Sequence, residues 1–131
     1  MPNYIASAPL VGAHFHPPAK ALLTQLRTGT ELTLRREPDN AYDTNAIGVW
    51  LNWADVGPVS EDQLRDLASS LAGYGWSVDD IDGPVQLGHI AAKTGEAASI
   101  APLMDSGDVP VATLAFNMNG QPIVRLEWDH A

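Results

Sequence analysis

The chain has no cysteine. Disulfides and thiolate metal sites are therefore excluded, and the composition suits a reducing compartment. Positive charge is scarce: seven Lys and Arg face sixteen Asp and Glu, for a net charge of -9. A protein that grips a phosphate backbone ordinarily shows a basic patch, because neutralising phosphates releases counterions. Here the overall field repels nucleic acid. No apolar run approaches the roughly 18 residues that span a bilayer. Met1 to Ile5 lack the basic and long apolar regions of a signal peptide. These absences predict a soluble cytoplasmic protein. A catalytic set is missing as well. No Ser or Thr has a motif linking it to a His, the glycines form no phosphate-cradling loop, and the carboxylates lack paired metal-binding spacing. The expectation is a non-enzyme without a cofactor.

What is present fits one domain over residues 1–131, with an ordinary apolar fraction of 45%. A domain of this length buries roughly two-thirds of its unfolded surface and needs no covalent staple. The acidity is local. Residues 51–84 hold Asp55, Glu61, Asp62, Asp66, Asp79, Asp80 and Asp82 against a single base, Arg65, so this segment carries -6 of the total.

Residues 4–15 read as a first strand, broken by Pro17-Pro18. Ala19, Leu22, Leu23 and Leu26 sit at helical spacing, with Pro18 in the first turn and Gly29 as the stop. Residues 31–35 alternate, with Leu32 and Leu34 inward and Thr33 and Arg35 outward. Residues 46–51 form the next strand, and Glu37-Pro38-Asp39-Asn40 is a dense turn signal between the two. Residues 52–84 read as an insertion. Within it Ser60 and Gln63 make a capping-box pattern, and Leu64, Leu67 and Leu71 mark an amphipathic helix over 61–72. A strand at 85–90 is interrupted by Gly88. A helix is expected over 91–104, with Ile100, Leu103 and Met104 in the core and Gly107 as its stop. Strands at 109–116 and 122–128 flank Asn119-Gly120, which predicts a type I′ hairpin turn. The four Trp residues are assigned to packing, with Trp53 and Trp76 sealing the insertion to the barrel. This order predicts a mainly β (α+β) fold: an OB/SH3-like barrel of about six strands with two helices plus an inserted acidic helix.

The run Arg35-Arg36-Glu37-Pro38-Asp39-Asn40-Ala41-Tyr42-Asp43-Thr44-Asn45-Ala46-Ile47 resembles the HIRAN domain family. Three further pieces resemble it in the same order: Val11-Gly12 followed by Phe15, Leu87-Gly88-His89-Ile90, and Ala101 to Asp105. The resemblance covers roughly residues 8–50 and 85–128, and it points to stand-alone bacterial or phage members. It implies an OB-like barrel that binds single-stranded DNA and captures a 3′-OH end, in DNA repair, replication or a mobile element. Tyr42 and Phe15 match the aromatic positions that stack on a terminal base. Asp43 matches the carboxylate that accepts the 3′-hydroxyl, and Asn40 a polar contact in the same loop. His14 stands where the family often has Arg or another polar residue. His89 occupies a position that faces the nucleic-acid backbone. Lys93 lies one position beyond a basic residue of relatives, where this chain has Ala92.

Elementary chemistry agrees with that set. Aromatic rings stack on bases of any identity for about 1–3 kcal/mol each. An ionised carboxylate only accepts hydrogen bonds, so it takes a hydroxyl and repels a phosphate. Arg35, Arg36 and Lys93 are the nearby cations that could hold the preceding phosphates. Asn40, Asp43 and Asn45 are also residues that bond to neighbouring backbone amides in loops; Asn45 is assigned to that structural use and Asp43 to the ligand. His14, His16 and His89 could be read as metal ligands, but no fourth ligand is placed by motif and none is expected. Two functions stay in view. One is a single-stranded DNA module. The other is a protein-interaction, phage structural or regulatory module on the same barrel, engaging its partner through the acidic insertion.

Overall fold

The protein is described by a computed structural model that covers residues 3–13, 17–23, 26–52, 60–77, 84–91 and 96–129. The elements are β1 (Asn3–Val11), α1 (Pro17–Leu23), β2 (Glu31–Arg36), β3 (Ile47–Asn52), α2 (Glu61–Ala72), β4 (Pro84–Ile90), α3 (Glu96–Asp105), β5 (Val111–Phe116) and β6 (Pro122–Asp129). The six strands close into a barrel in the order β1-β4-β3-β2-β5-β6. Every neighbouring pair is antiparallel. This is the mainly β barrel with small helices that the strand pattern predicts.

Alternation decides which side chains fill it. Ile47, Val49 and Leu51 of β3 point inward and are buried, as are Leu114 of β5 and Val124, Leu126 and Trp128 of β6. Trp128 still finds a partner, because its Nε1 donates to the Asp108 carbonyl at 3.0 Å. The helices complete the core. Ala19 and Leu22 come from α1, Leu67 and Leu71 from α2, and Ala97, Ile100, Ala101 and Met104 from α3. The predicted inward Leu103 is instead 38% exposed, and Leu64 of α2 is 41% exposed. Each lies off the buried stripe of its helix. Trp76 is also exposed, so it does not seal α2 to the barrel, and Trp53 lies outside the described residues.

Local chemistry sets the ends. Gly75 and Gly107, both at positive φ, stop α2 and α3. In α3, Gly107 N–H reaches the Met104 carbonyl and Asp108 N–H the Leu103 carbonyl. In α2, Gly75 bonds to Ala72 and Trp76 to Leu71 in the same way. This paired closure satisfies carbonyls that a helix end otherwise leaves open. Gly29 does something other than cap α1. It lies in the Arg27–Thr30 turn and donates to Leu114 of β5 at 2.7 Å. Helix α3 begins at Glu96 rather than 91, since Ala91 still follows β4 and donates to Pro9 of β1. The β5–β6 hairpin also differs from a type I′ turn. Gly120 has positive φ but Asn119 does not. Asn117 accepts from Gly120 N–H through its carbonyl, and through its side chain from Asn119 and Gln121 N–H. The result is a three-residue loop closed by one left-handed glycine.

An irregularity in β4 shapes the outer face of the barrel. Val49 pairs with Gly88 but Trp50 pairs with Gln86, so the register slips by one residue. Leu87 and Gly88 are both buried, and Leu87 and Ile90 point inward. Gln86 and His89 therefore share the outer face, which an unbroken period of two forbids. Glycine is required at the slip. Gly88 has φ of 155°, and a Cβ there would collide with the Val11 carbonyl of β1. Gly88→Ala is expected to lower stability by roughly 2–4 kcal/mol, from overpacking plus a backbone region reserved for glycine. Urea unfolding measures this, and the expected change is in the midpoint with little change in slope.

Candidate nucleic-acid interface

The loop joining β2 to β3 is built on itself. Glu37 N–H donates to the Ala46 carbonyl at 2.9 Å and extends the ladder by one rung. Asn40 is the hub. Its Oδ1 accepts from the N–H groups of Tyr42 at 2.9 Å and Asp43 at 3.1 Å, and its Nδ2 donates to Glu37 Oε1 at 3.2 Å. Asp43 Oδ1 accepts from Asn45 N–H at 2.9 Å, and the Asp43 carbonyl accepts from Ala46 N–H. Short polar side chains thus replace the missing sheet partners of the loop backbone.

Arg36 fixes the loop from beneath. Its Nη1 donates to the Ala46 carbonyl at 2.7 Å and its Nη2 to the Thr44 carbonyl at 3.0 Å. On the other side Nε and Nη2 fork onto the two oxygens of Asp105, at the C-terminal end of α3. The side chain is mostly enclosed, with 16% exposure. Its planar donor fork suits three acceptors held at fixed angles, a task a lysine cannot perform.

Tyr42 is the exception to this economy. Its side chain is 99% exposed, though the backbone on both sides is pinned. Asp43 is half-buried beside it, and its Oδ2 has no partner among the described residues.

Glu37 links the loop to the outer face of the barrel. Its Oε2 lies 2.9 Å from His89 Nε2 and 3.3 Å from Gln86 Nε2. A carboxylate only accepts, so the imidazole nitrogen facing it carries the proton. Burial pushes the Glu37 carboxyl up, but the hydrogen bonds from His89, Asn40 and Gln86 and the charge of His89 outweigh it and hold the group below its ordinary value. Glu37 is therefore an anion at neutral pH. It lies over Gly48, where a Cβ would overlap Glu37 Oε2 and stand 2.9 Å from Trp50 Nε1. Register puts Arg35, Gly48, His89 and Val11 in one row across the outer faces of β2, β3, β4 and β1. Arg35 lies over the Trp50 ring at 4.6 Å, a cation–π contact that leaves the guanidinium exposed.

Of the residues expected at the site, the structure brings Asn40, Tyr42 and Asp43 into one loop, places Arg36 under it and joins His89 to it through Glu37. His14, Phe15 and Lys93 lie outside the described residues, as does His16. Among the described residues no group of His, Asp and Glu could hold a metal ion. Sequence reasoning missed Glu37, Gly48, Trp50 and Gln86 as parts of one cluster. Glu37 lies inside the Arg35–Ile47 run, but the slip that turns Gln86 and His89 to the same side has no sequence signal beyond Gly88.

No curated protein matches the chain. Two solved structures share the fold. A crystal structure of a protein from Lactobacillus plantarum is 23% identical, with a TM-score of 0.56, over 97% of this chain and 96% of that one. The crystal structure of the HIRAN domain of human HLTF is 18% identical, with a TM-score of 0.54, over 95% of this chain and 74% of that one. The sequence pattern of the HIRAN domain matches residues 5–81. That match takes in more than half of the chain, including β1, β2, β3 and the loop built around Asn40, and so the protein belongs to the HIRAN domain family, whose members are nucleic-acid-binding modules and not themselves catalysts.

Proposed function

We propose that this protein binds single-stranded DNA and captures its 3′-hydroxyl end on the 37–46 loop, in DNA repair, replication or a mobile element. The observation that carries this reading is Tyr42, a fully exposed aromatic ring on a loop fixed by its own hydrogen bonds. An exposed ring on such a support is ready to stack on a terminal base at little ordering cost. Asp43 stands next to it with one oxygen committed to the loop and the other open to a hydroxyl. A 3′-phosphate in the same place would be repelled. Arg35 is the cation of this strand that can reach a preceding phosphate, since Arg36 is taken up by Asp105 and two loop carbonyls. Arg36 and Asn40 act by holding the loop, and His89 by facing the backbone from β4. By resemblance, Phe15, His14 and Lys93 complete the surface.

A second reading rests on α2. Glu61, Asp62 and Asp66 are exposed along it, and Tyr74 and Trp76 are exposed just past its end. An acidic helix with aromatics beside it suits a basic protein partner. On that reading single-stranded DNA binding is absent even at low salt, and partner capture depends on residues 52–84.

Fluorescence anisotropy with short labelled strands separates the two. Strands ending in 3′-OH are expected to bind more tightly than the same strands ending in 3′-phosphate, and Asp43→Ala is expected to erase that difference. Equal affinity for both ends in the unmodified protein would refute end capture. Tyr42→Ala is expected to weaken binding by about fivefold to about 150-fold, from the roughly 1–3 kcal/mol of one stacked base, while leaving the unfolding midpoint unchanged because the ring is fully exposed. Arg36→Lys is expected to behave in the opposite manner, costing about 1–2 kcal/mol of stability with its charge retained. Faster amide exchange at Asn45 and Ala46 would mark the loosened loop.

A further inference from the structure

Four side-chain donors converge above Gly48. His89 and Gln86 offer nitrogens to Glu37 Oε2, Asn40 offers one to Oε1, and Trp50 Nε1 borders the same space. They come from the loop, β3 and β4, and Gly48 leaves the room by having no side chain. The match between donors and occupant is incomplete. The buried indole N–H of Trp50 has no hydrogen-bond partner among the described residues. Native proteins rarely leave a buried donor unmet, and one that is unmet asks for an absent partner. A carboxylate has two oxygens and here serves three of the donors. A phosphate has more oxygens, spread in three dimensions, and could serve all four. The surroundings favour an anion: Arg35, outside the cluster, is Gly48's neighbour in the cross-strand row and is exposed.

We infer that the Glu37 carboxylate is a built-in stand-in for a backbone phosphate, occupying an oxyanion cradle that a nucleic-acid strand must enter by displacing it. Glu37 thereby sets a threshold on the site, and the inference rests on the single-strand reading for the identity of the incoming phosphate. The cradle itself does not depend on that reading. In a chain of net charge -9, such a plug keeps the outer face closed to stray anions. A strand is admitted when its end is already held at Tyr42 and Asp43, so that its phosphate arrives at high local concentration.

The test uses the full chain and two probes. Inorganic phosphate is titrated while the His89 imidazole and Trp50 indole nitrogens are followed by NMR. The unmodified protein is expected to show little change, and Glu37→Gln a saturable shift at both groups. In parallel, Glu37→Gln is expected to bind a 3′-OH single strand about fivefold more tightly, the scale of removing one unit charge about 4 Å away in water. Adding His89→Ala should abolish both gains. Equal phosphate response in the unmodified protein and Glu37→Gln overturns the inference, and so does a gain that survives His89→Ala, which would mark a diffuse charge effect. If no variant binds single strands but Glu37→Gln still takes phosphate at His89 and Trp50, the cradle stands and the single-strand reading falls. Should Glu37→Gln fail to fold, Glu37→Asp retracts the carboxylate by one methylene with its charge intact. It is expected to respond to phosphate in the same direction, and no response there overturns the inference.

Discussion

One extra residue in β4 decides where the chemistry of this surface falls. Regular alternation through Leu87 would turn His89 into the barrel and Gln86 out of it. The slip at Gly88 instead returns His89 to the outer face while Leu87 and Ile90 remain in the core. The slip is possible because β1 approaches so closely that its Val11 carbonyl fills the place of a side chain at Gly88. The contact that completes the β1–β4 seam of the barrel is therefore the one that aims the imidazole. Folding and site geometry rest on the same pair of backbones.

The two consecutive arginines of β2 show how position divides labour between like residues. Arg36 shares its parity with Leu32 and Leu34, so it turns toward the end of the barrel, meets α3 and is taken up by Asp105 and the loop carbonyls. Arg35 has the other parity, lies outward over Trp50 and keeps its donors exposed. The first is a strut and the second is left facing outward. A similar division runs through the loop. Asn40 spends both ends of its amide on neighbours, Asp43 spends one oxygen, and Tyr42 spends nothing.

Much of this fold is legible in the sequence, and for physical reasons. Period-two alternation in residues 31–35 and 46–51 reveals the β2–β3 pair, and 3.6-residue spacing reveals α2 to within the residue. The density of Asn, Asp and Pro after Arg36 announces a side-chain-stabilised loop. What the sequence hides is set by contacts between distant segments. The start of α3 moves to Glu96 because Ala91 is claimed by Pro9 of β1. Gly29 is claimed by Leu114 rather than by α1, and the turn at Asn119-Gly120 is reshaped by the side chain of Asn117. The role of Glu37 stays invisible because it depends on a register slip about fifty residues away in β4. A lone glutamate in a turn carries no mark of what will face it.

Strand β3 has the Tyr42 loop at its beginning, and the acidic segment containing α2 leaves from its end. The two poles of this barrel thus differ in charge as well as in shape: residues 51–84 carry -6, whereas Arg35 and Arg36 nearly balance Glu37, Asp39 and Asp43 at the loop. A polyanion drifting toward the molecule experiences a torque before it makes any contact, turned away from one pole and left to find the other. On the single-strand reading, the acidity that looked like an argument against nucleic acid becomes a means of orientation: it lowers the rate of encounter but favours encounters that arrive loop-first.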